Sequence, residues 1–191
     1  MNRLRSLLAT LAVLLLAASA FATDYKIDPV HSTLGFSVRH LGISTVPGKF
    51  TDFAGAISYD EKDPSKSSVK VTIKTASIDT GNGSRDKDLR SDNFFDVAKY
   101  PEITFQSTDV KKSGDEWVAV GTFTMKGVSK TIELPFTLNG PVKDPWGSQR
   151  IGVESATKLK RSDYGITADK GLVGDDIKIN LTIEAATAAG K

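Results

Sequence analysis

The chain has 191 residues with no cysteine, 25 Lys plus Arg against 23 Asp plus Glu, and a 39% hydrophobic content. This excludes a disulfide scaffold, a thiolate metal centre and the strongly basic surface that nucleic-acid binding needs. The small basic excess sits in the first residues, where Arg3 and Arg5 precede an apolar run from Leu7 to Ala18 and the small-residue pattern Ala20-Phe21-Ala22. That order is the mark of a secretory signal peptide cleaved after Ala22. The apolar run is shorter than the roughly 20 residues of a spanning helix, and no cysteine follows it to accept a lipid. The expectation is therefore a cleaved leader at 1–22 and one periplasmic domain at 23–191. That domain would have 169 residues (191 less 22) and no net charge, since 25 basic residues less the two leader arginines equal the 23 acidic ones. A chain of that length can build a sizeable core without crosslinks.

From Tyr25 onward, short segments alternate apolar and polar residues between clusters of Gly, Pro, Asp, Asn and Ser, the pattern of strands and turns. The first predicted strand runs from Thr33 to His40 with Leu34, Phe36 and Val38 on one face. The second covers Lys49 to Tyr59 with Phe53, Ile57 and Tyr59 together, and Gly55 leaves room for a bend. In the third, Val69, Val71 and Ile73 alternate with Lys70, Thr72 and Lys74. Asp79 to Pro101 lacks alternation; Asn82 or Ser84 can cap a short helix over Arg85 to Arg90, followed by Phe94-Phe95. The remaining strands are Ile103–Val110, Trp117–Met125, Thr131–Leu138, Ile151–Leu159 and Ile177–Glu184.

Ser113-Gly114-Asp115 and Lys126-Gly127-Val128-Ser129 make tight connections, so the strands they join are antiparallel. Pro135 cannot donate to a ladder and marks either a bulge or an incomplete seam. The Ala-rich end from Ala185 is expected to fray. Eight strands without crossover helices fit an all-β, antiparallel up-and-down barrel or a sandwich; the barrel is preferred because closure removes exposed edges.

Chemistry-bearing motifs are sparse. His31 and His40 are an odd number of residues apart and point to opposite faces of a regular strand, so no metal site is expected. There is no nucleophile elbow, P-loop or dinucleotide fingerprint. Inward-capable bulk is plentiful, and Gly35, Ala54, Gly55, Ala119, Gly121, Gly152 and Ala156 leave space between the large groups. An eight-stranded barrel is either filled by such side chains or holds one slender ligand. Arg85-Asp86, Arg90, Arg161 and Asp163 lie at strand ends or loops. They suit either loop-holding ion pairs or, for an arginine at the mouth, a ligand headgroup.

Several longer motifs follow one another along nearly the whole of the chain after the leader. Asp28-Pro29-Val30-His31-Ser32 leads into Phe36-Ser37-Val38-Arg39-His40-Leu41-Gly42. Further matches are Ser77-Ile78-Asp79-Thr80-Gly81-Asn82, Leu89-Arg90-Ser91, Phe94-Phe95-Asp96-Val97, Tyr100-Pro101-Glu102-Ile103-Thr104-Phe105, Asp144-Pro145-Trp146-Gly147 and Arg161-Ser162-Asp163-Tyr164-Gly165-Ile166. Together these motifs resemble the YceI-like family of exported polyisoprenoid-binding proteins. Lys126 and Thr131 depart from the histidine and proline common in that family around the Gly-Val-Ser-Lys turn, and Tyr164 from a common phenylalanine.

The resemblance implies a lipocalin-like eight-stranded barrel, with a short helix between strands 3 and 4, whose apolar pore takes up a prenyl quinone or prenyl pyrophosphate. It implies no established enzymatic reaction and associates the family with the periplasm and the stress response; no cofactor is expected. On this reading the wall comprises Phe36, Val38, Phe53, Ile73, Phe94, Phe95, Ile103, Phe105, Trp117, Phe123 and Phe136. Arg85 and Arg161 meet the headgroup. The expected partner is the isoprenoid lipid, with no nucleic acid; a transient membrane contact and a homodimer stay open. Two other functions stand beside the carrier: an enzyme using His31 or His40 as acid or base inside the barrel, and a stress-related interaction module with a filled core.

Overall fold

Alternating apolar residues give strands with one wet and one dry face, and here a single antiparallel sheet curls until its ends meet. The computed structural model describes residues 22–114 and 116–188; residues 1–21 of the predicted leader, Asp115 and residues 189–191 lie outside them. Eleven strand segments are present among the described residues: β1 Thr23–Ile27, β2 Thr33–His40, β3 Ser44–Phe50, β4 Phe53–Tyr59, β5 Ser68–Lys74, β6 Ile78–Asp79, β7 Glu102–Ser113, β8 Glu116–Met125, β9 Val128–Lys143, β10 Gln149–Lys160 and β11 Val173–Ala186. The order β1-β4-β5-β7-β8-β9-β10-β11-β2-β3-β6 is closed by pairing of β1 with β11. Because β1 and β2 share β11, while β3 and β4 pair with β2 and β1 respectively, the early segments are halves of broken strands. The result is an eight-strand antiparallel barrel.

The first break is the Asp28-Pro29-Val30-His31-Ser32 motif. It bulges out opposite Glu184, between the pairs Ile27↔Ala185 and Thr33↔Thr182. Ser32 Oγ replaces the missing ladder by accepting from the Glu184 N–H and donating to the Glu184 carbonyl, which also receives the Asp28 N–H. Asp28 accepts from the Val30 N–H and pairs with His31 Nδ1 and Arg150, which also binds Asp144 and Glu184. The motif is a strand-break clasp.

That clasp titrates. Hydrogen bonding from His31, then from Val30 and Arg150, lowers Asp28 to about 2, while Asp28 raises His31 above its ordinary 6.5. The raised His31 stabilises the fold fully below 6.5, and that contribution is lost as pH rises through the folded value; the lowered Asp28 contributes above 3.8 and is lost as pH falls towards 2. His31→Ala should therefore lower Tm slightly near pH 5 and leave it unchanged near pH 9, as measured by calorimetry across pH.

Further along, Thr51 and Asp52 divide the segment predicted as Lys49–Tyr59 into β3 and β4. The helix α1 spans Gly83–Leu89 with Asn82 Oδ1 accepting from the Arg85 N–H and Arg90 as the C-cap. Pro135 marks an incomplete seam: the β8 ladder continues past it at Val118↔Pro135, whereas pairing of β9 with β10 ends at Phe136↔Ser155. The expected fraying from Ala185 does not hold at its start, since Ala185 and Ala186 pair with both β1 and β10 and Ala185 is fully buried. Strand alternation ends there only beyond two closing contacts.

Candidate functional site

The inward faces do not meet on the barrel axis. At one end Tyr25, Ile27, Leu34, Phe53, Ile57, Ile151 and Ala185 pack into a dry cluster, and at the other Phe94, Ile103, Met125, Tyr164 and Ile166 form a second. Between them, Ile177, Ile179, Leu181 and Ile183 on β11 point inward yet are only half-buried. Apolar side chains on the dry face of a sheet keep that exposure only where the interior is hollow. A cavity of about 500 Å³ occupies this space, within the range of small-molecule sites. It reaches from Pro64, Ser67 and Ser68 to His40, Thr80, Arg85, Asp88 and Asp169.

Of the residues predicted for the wall, Phe36, Val38, Ile73, Phe94, Phe95, Ile103, Phe105, Trp117, Phe123 and Phe136 line the cavity. Phe53 is a correction: it packs in the dry cluster with Tyr25 and Ile57 and does not reach the cavity. Phe50, absent from the predicted set, also lines the cavity and joins Phe36 to Phe95, with ring centroids 5.8 and 5.9 Å apart. Gly48 makes this possible. A Cβ there would lie 2.3 Å from Phe36 Cζ, so the missing side chain lets the Phe36 ring lie against β3. The β11 face was missed too, although Ile177, Ile179, Leu181 and Ile183 alternate with Lys178, Asn180 and Thr182.

The small residues behave differently from expectation. Gly35 and Ala119 line the cavity, but Ala54 and Ala156 are exposed. A Cβ on Gly55 would meet Lys70 O at 2.5 Å and Ile27 Cδ1 at 2.8 Å, and one on Gly121 would meet Gln106 O at 2.4 Å and Phe105 Cζ at 2.7 Å. Those two glycines allow close packing of the wall.

The two arginines separate. Arg85 is exposed on α1, where Nε donates to Thr80 Oγ1 and Nη2 to the Thr80 carbonyl, leaving Nη1 unengaged among the described residues. Thr80 is itself fixed by Asp86, which accepts from its N–H and hydroxyl. Arg161 also lines the cavity, but its guanidinium is engaged with backbone. It is buried, and its guanidinium donates to the carbonyls of Gly174, Ile166, Ala168 and Val173. Four of five N–H groups are thus consumed in holding the loop between β10 and β11. Arg90 likewise holds the carbonyls of Ala76 and Ile78.

A catalytic histidine would have to face the cavity and be oriented by a carboxylate. These properties fall on different residues: His40 lines the cavity, while the Asp28 partner belongs to His31, which is exposed and outside the lining. Asp28, His31 and Glu184 converge closely enough to suggest metal ligands, but Arg150 already bonds both carboxylates. A cation is in place.

The YceI-like domain pattern matches residues 25–185, essentially the whole barrel. The chain belongs to the YceI-like family. A UPF0312 protein of Serratia proteamaculans is 46% identical over 179 residues, covering 93% of each chain. The crystal structure of a Campylobacter jejuni YceI protein superposes with a TM-score of 0.69 at 38% identity, covering 78% of this chain and 88% of that one. A polyisoprenoid binding domain from Saccharophagus degradans shares the fold at a TM-score of 0.67 and 18% identity, covering 85% of this chain and 98% of that one. In this YceI-like chain the Asp28–Ser32 stretch holds the strand break against Glu184, and the Ser77–Asp86 stretch fixes Thr80 at the cavity lining.

Proposed function

We propose that this YceI-like protein is a periplasmic carrier that holds the tail of a long-chain isoprenoid lipid in the barrel cavity. The observation that carries the reading is the hollow interior: about 500 Å³ walled mainly by aliphatic and aromatic side chains. Burial of each five-carbon unit gains roughly 3–4 kcal/mol relative to water, at about 0.8 kcal/mol per methylene. The competitor is a membrane that buries the tail equally well, so headgroup contacts select the ligand. The polyisoprenoid binding described for the Saccharophagus degradans domain supports the ligand class.

The rim favours a neutral headgroup. Arg85 and Arg161 stand against Asp88 and Asp169, so no net positive field awaits a pyrophosphate, whereas a quinone carbonyl can accept from Arg85 Nη1. Prenyl quinone is therefore the proposed ligand. Organic extraction of the purified protein, followed by mass spectrometry and by titration with ubiquinone, should find one prenyl lipid per barrel and saturable uptake. Neither a stoichiometric lipid nor any uptake would sink the carrier reading.

A further inference from the structure

Two loop tips beside the cavity rim carry apolar side chains that nothing in the fold covers. Leu41 and Ile43 project from the β2–β3 turn and Leu172 from the loop before β11, with exposures of 49%, 80% and 52%. The Leu41 N–H donates to the Leu172 carbonyl at 2.7 Å, joining the tips into one edge. Their chain neighbours His40 and Val173 both line the cavity. The apolar edge is thus continuous with the polar rim.

The backbone of the turn gives a second, independent observation. Leu41 and Gly42 have φ of +52° and +72°, the sign that Asn-Gly or Asp-Gly supplies most easily at the tip of a hairpin. Leucine is a strained choice in the left-handed region. Being exposed, it gains no core packing in return. Arg39 clamps the turn by donating to Thr45 Oγ1 at 2.8 Å and to the Gly42 carbonyl at 2.7 Å, so Leu41 and Ile43 are held outward. Strain maintained without an internal return points to a contact outside the chain.

We propose that Leu41, Ile43 and Leu172 dock on the face of a lipid bilayer and set the cavity rim against it, so that a prenyl chain passes between membrane and barrel without crossing water. This rests on the carrier reading above. Three aliphatic tips present far less than the ~800 Å² per partner of a standard protein interface, but they suffice to anchor shallowly in a bilayer. Arg39 and Lys170 flank them with Asp169 beside Lys170, all three exposed, and the one-charge basic excess of this trio complements anionic headgroups.

The test is flotation of the mature protein with vesicles of phosphatidylethanolamine and phosphatidylglycerol. It compares the wild type with the triple variant Leu41→Asn, Ile43→Ser, Leu172→Ser, and with a control carrying Val30→Ser and Val142→Ser, exposed apolar positions at the opposite end. Vesicle partitioning should fall about tenfold in the triple variant and stay unchanged in the control, while ubiquinone affinity in solution stays within about twofold. Leu41→Asn alone should raise Tm by relieving the backbone and still weaken partitioning. Equal partitioning of wild type and triple variant, or none by the wild type, overturns the docking edge. So does a wild-type dimer in sedimentation velocity that the triple variant dissolves, since the edge then joins two copies. Failure of all variants to bind ubiquinone overturns the carrier reading instead, and the flotation comparison still decides the docking edge.

Discussion

Val38→Trp is expected to abolish ligand uptake without unfolding the barrel. Val38 lies on the cavity wall between Ile177 of β11 and Val46 of β3. In a filled barrel an added indole would overpack the core at a cost of typically ~1–3 kcal/mol, or a Tm fall of roughly 2–12 °C for a chain of this size. In a hollow one the ring enters the cavity and buries its own apolar surface, which stabilises the fold at about 25 cal/mol per Å². Tm should then hold or rise. The same ring displaces at least one five-carbon unit of ligand, about 3–4 kcal/mol, so ubiquinone affinity should drop on the order of 100-fold or more. Calorimetry and a quinone titration of the same sample decide it: a large Tm loss with affinity retained would mean that the tail does not occupy this space.

The opposite signs expected for stability and binding show why sequence could reach the barrel but not its hollowness. Val69, Val71 and Ile73 alternate so cleanly with polar residues that their facing is legible. Alternation reports which side of a sheet is dry, however, and is the same whether side chains meet across the axis or leave a gap. Likewise Phe53 and Phe36 read alike in sequence; only their cross-barrel neighbours put one in the dry cluster and the other on the cavity. The glycines misled for a related reason. Gly55 and Gly121 looked like vacant volume, but the space is taken by the neighbouring backbone with Ile27 or Phe105. Two shorter features lacked enough residues to show a period: β1, with only Tyr25 and Ile27 inward, and the Thr51-Asp52 break that splits β3 from β4.

Arg161 is the site residue whose role changed most, and its replacement should have the largest effect on stability. In sequence it matches Arg85, a cation at a strand end. In the fold its planar fork satisfies four carbonyls that no other group reaches as a set, those of Ile166, Ala168, Val173 and Gly174. Arg161→Ala leaves these acceptors without their donor, with Ile166 buried and Ala168, Val173 and Gly174 half-buried, each unsatisfied group costing about 1–3 kcal/mol before relaxation. A net loss of about 3–5 kcal/mol is expected, or a Tm fall of roughly 6–20 °C. Arg161→Lys should recover only part, because an ammonium cannot span the same fork. The damage should spread to the seam, since the loop carries Tyr164, which packs edge-on to Phe123 at 5.4 Å and lies under Lys130 of β9, whose lower half lacks a ladder to β10. Hydrogen exchange in Val128–Leu134 should accelerate in both variants. A headgroup role predicts the reverse, with affinity lost while Tm and exchange stay at wild-type values, and that outcome would restore Arg161 to the ligand.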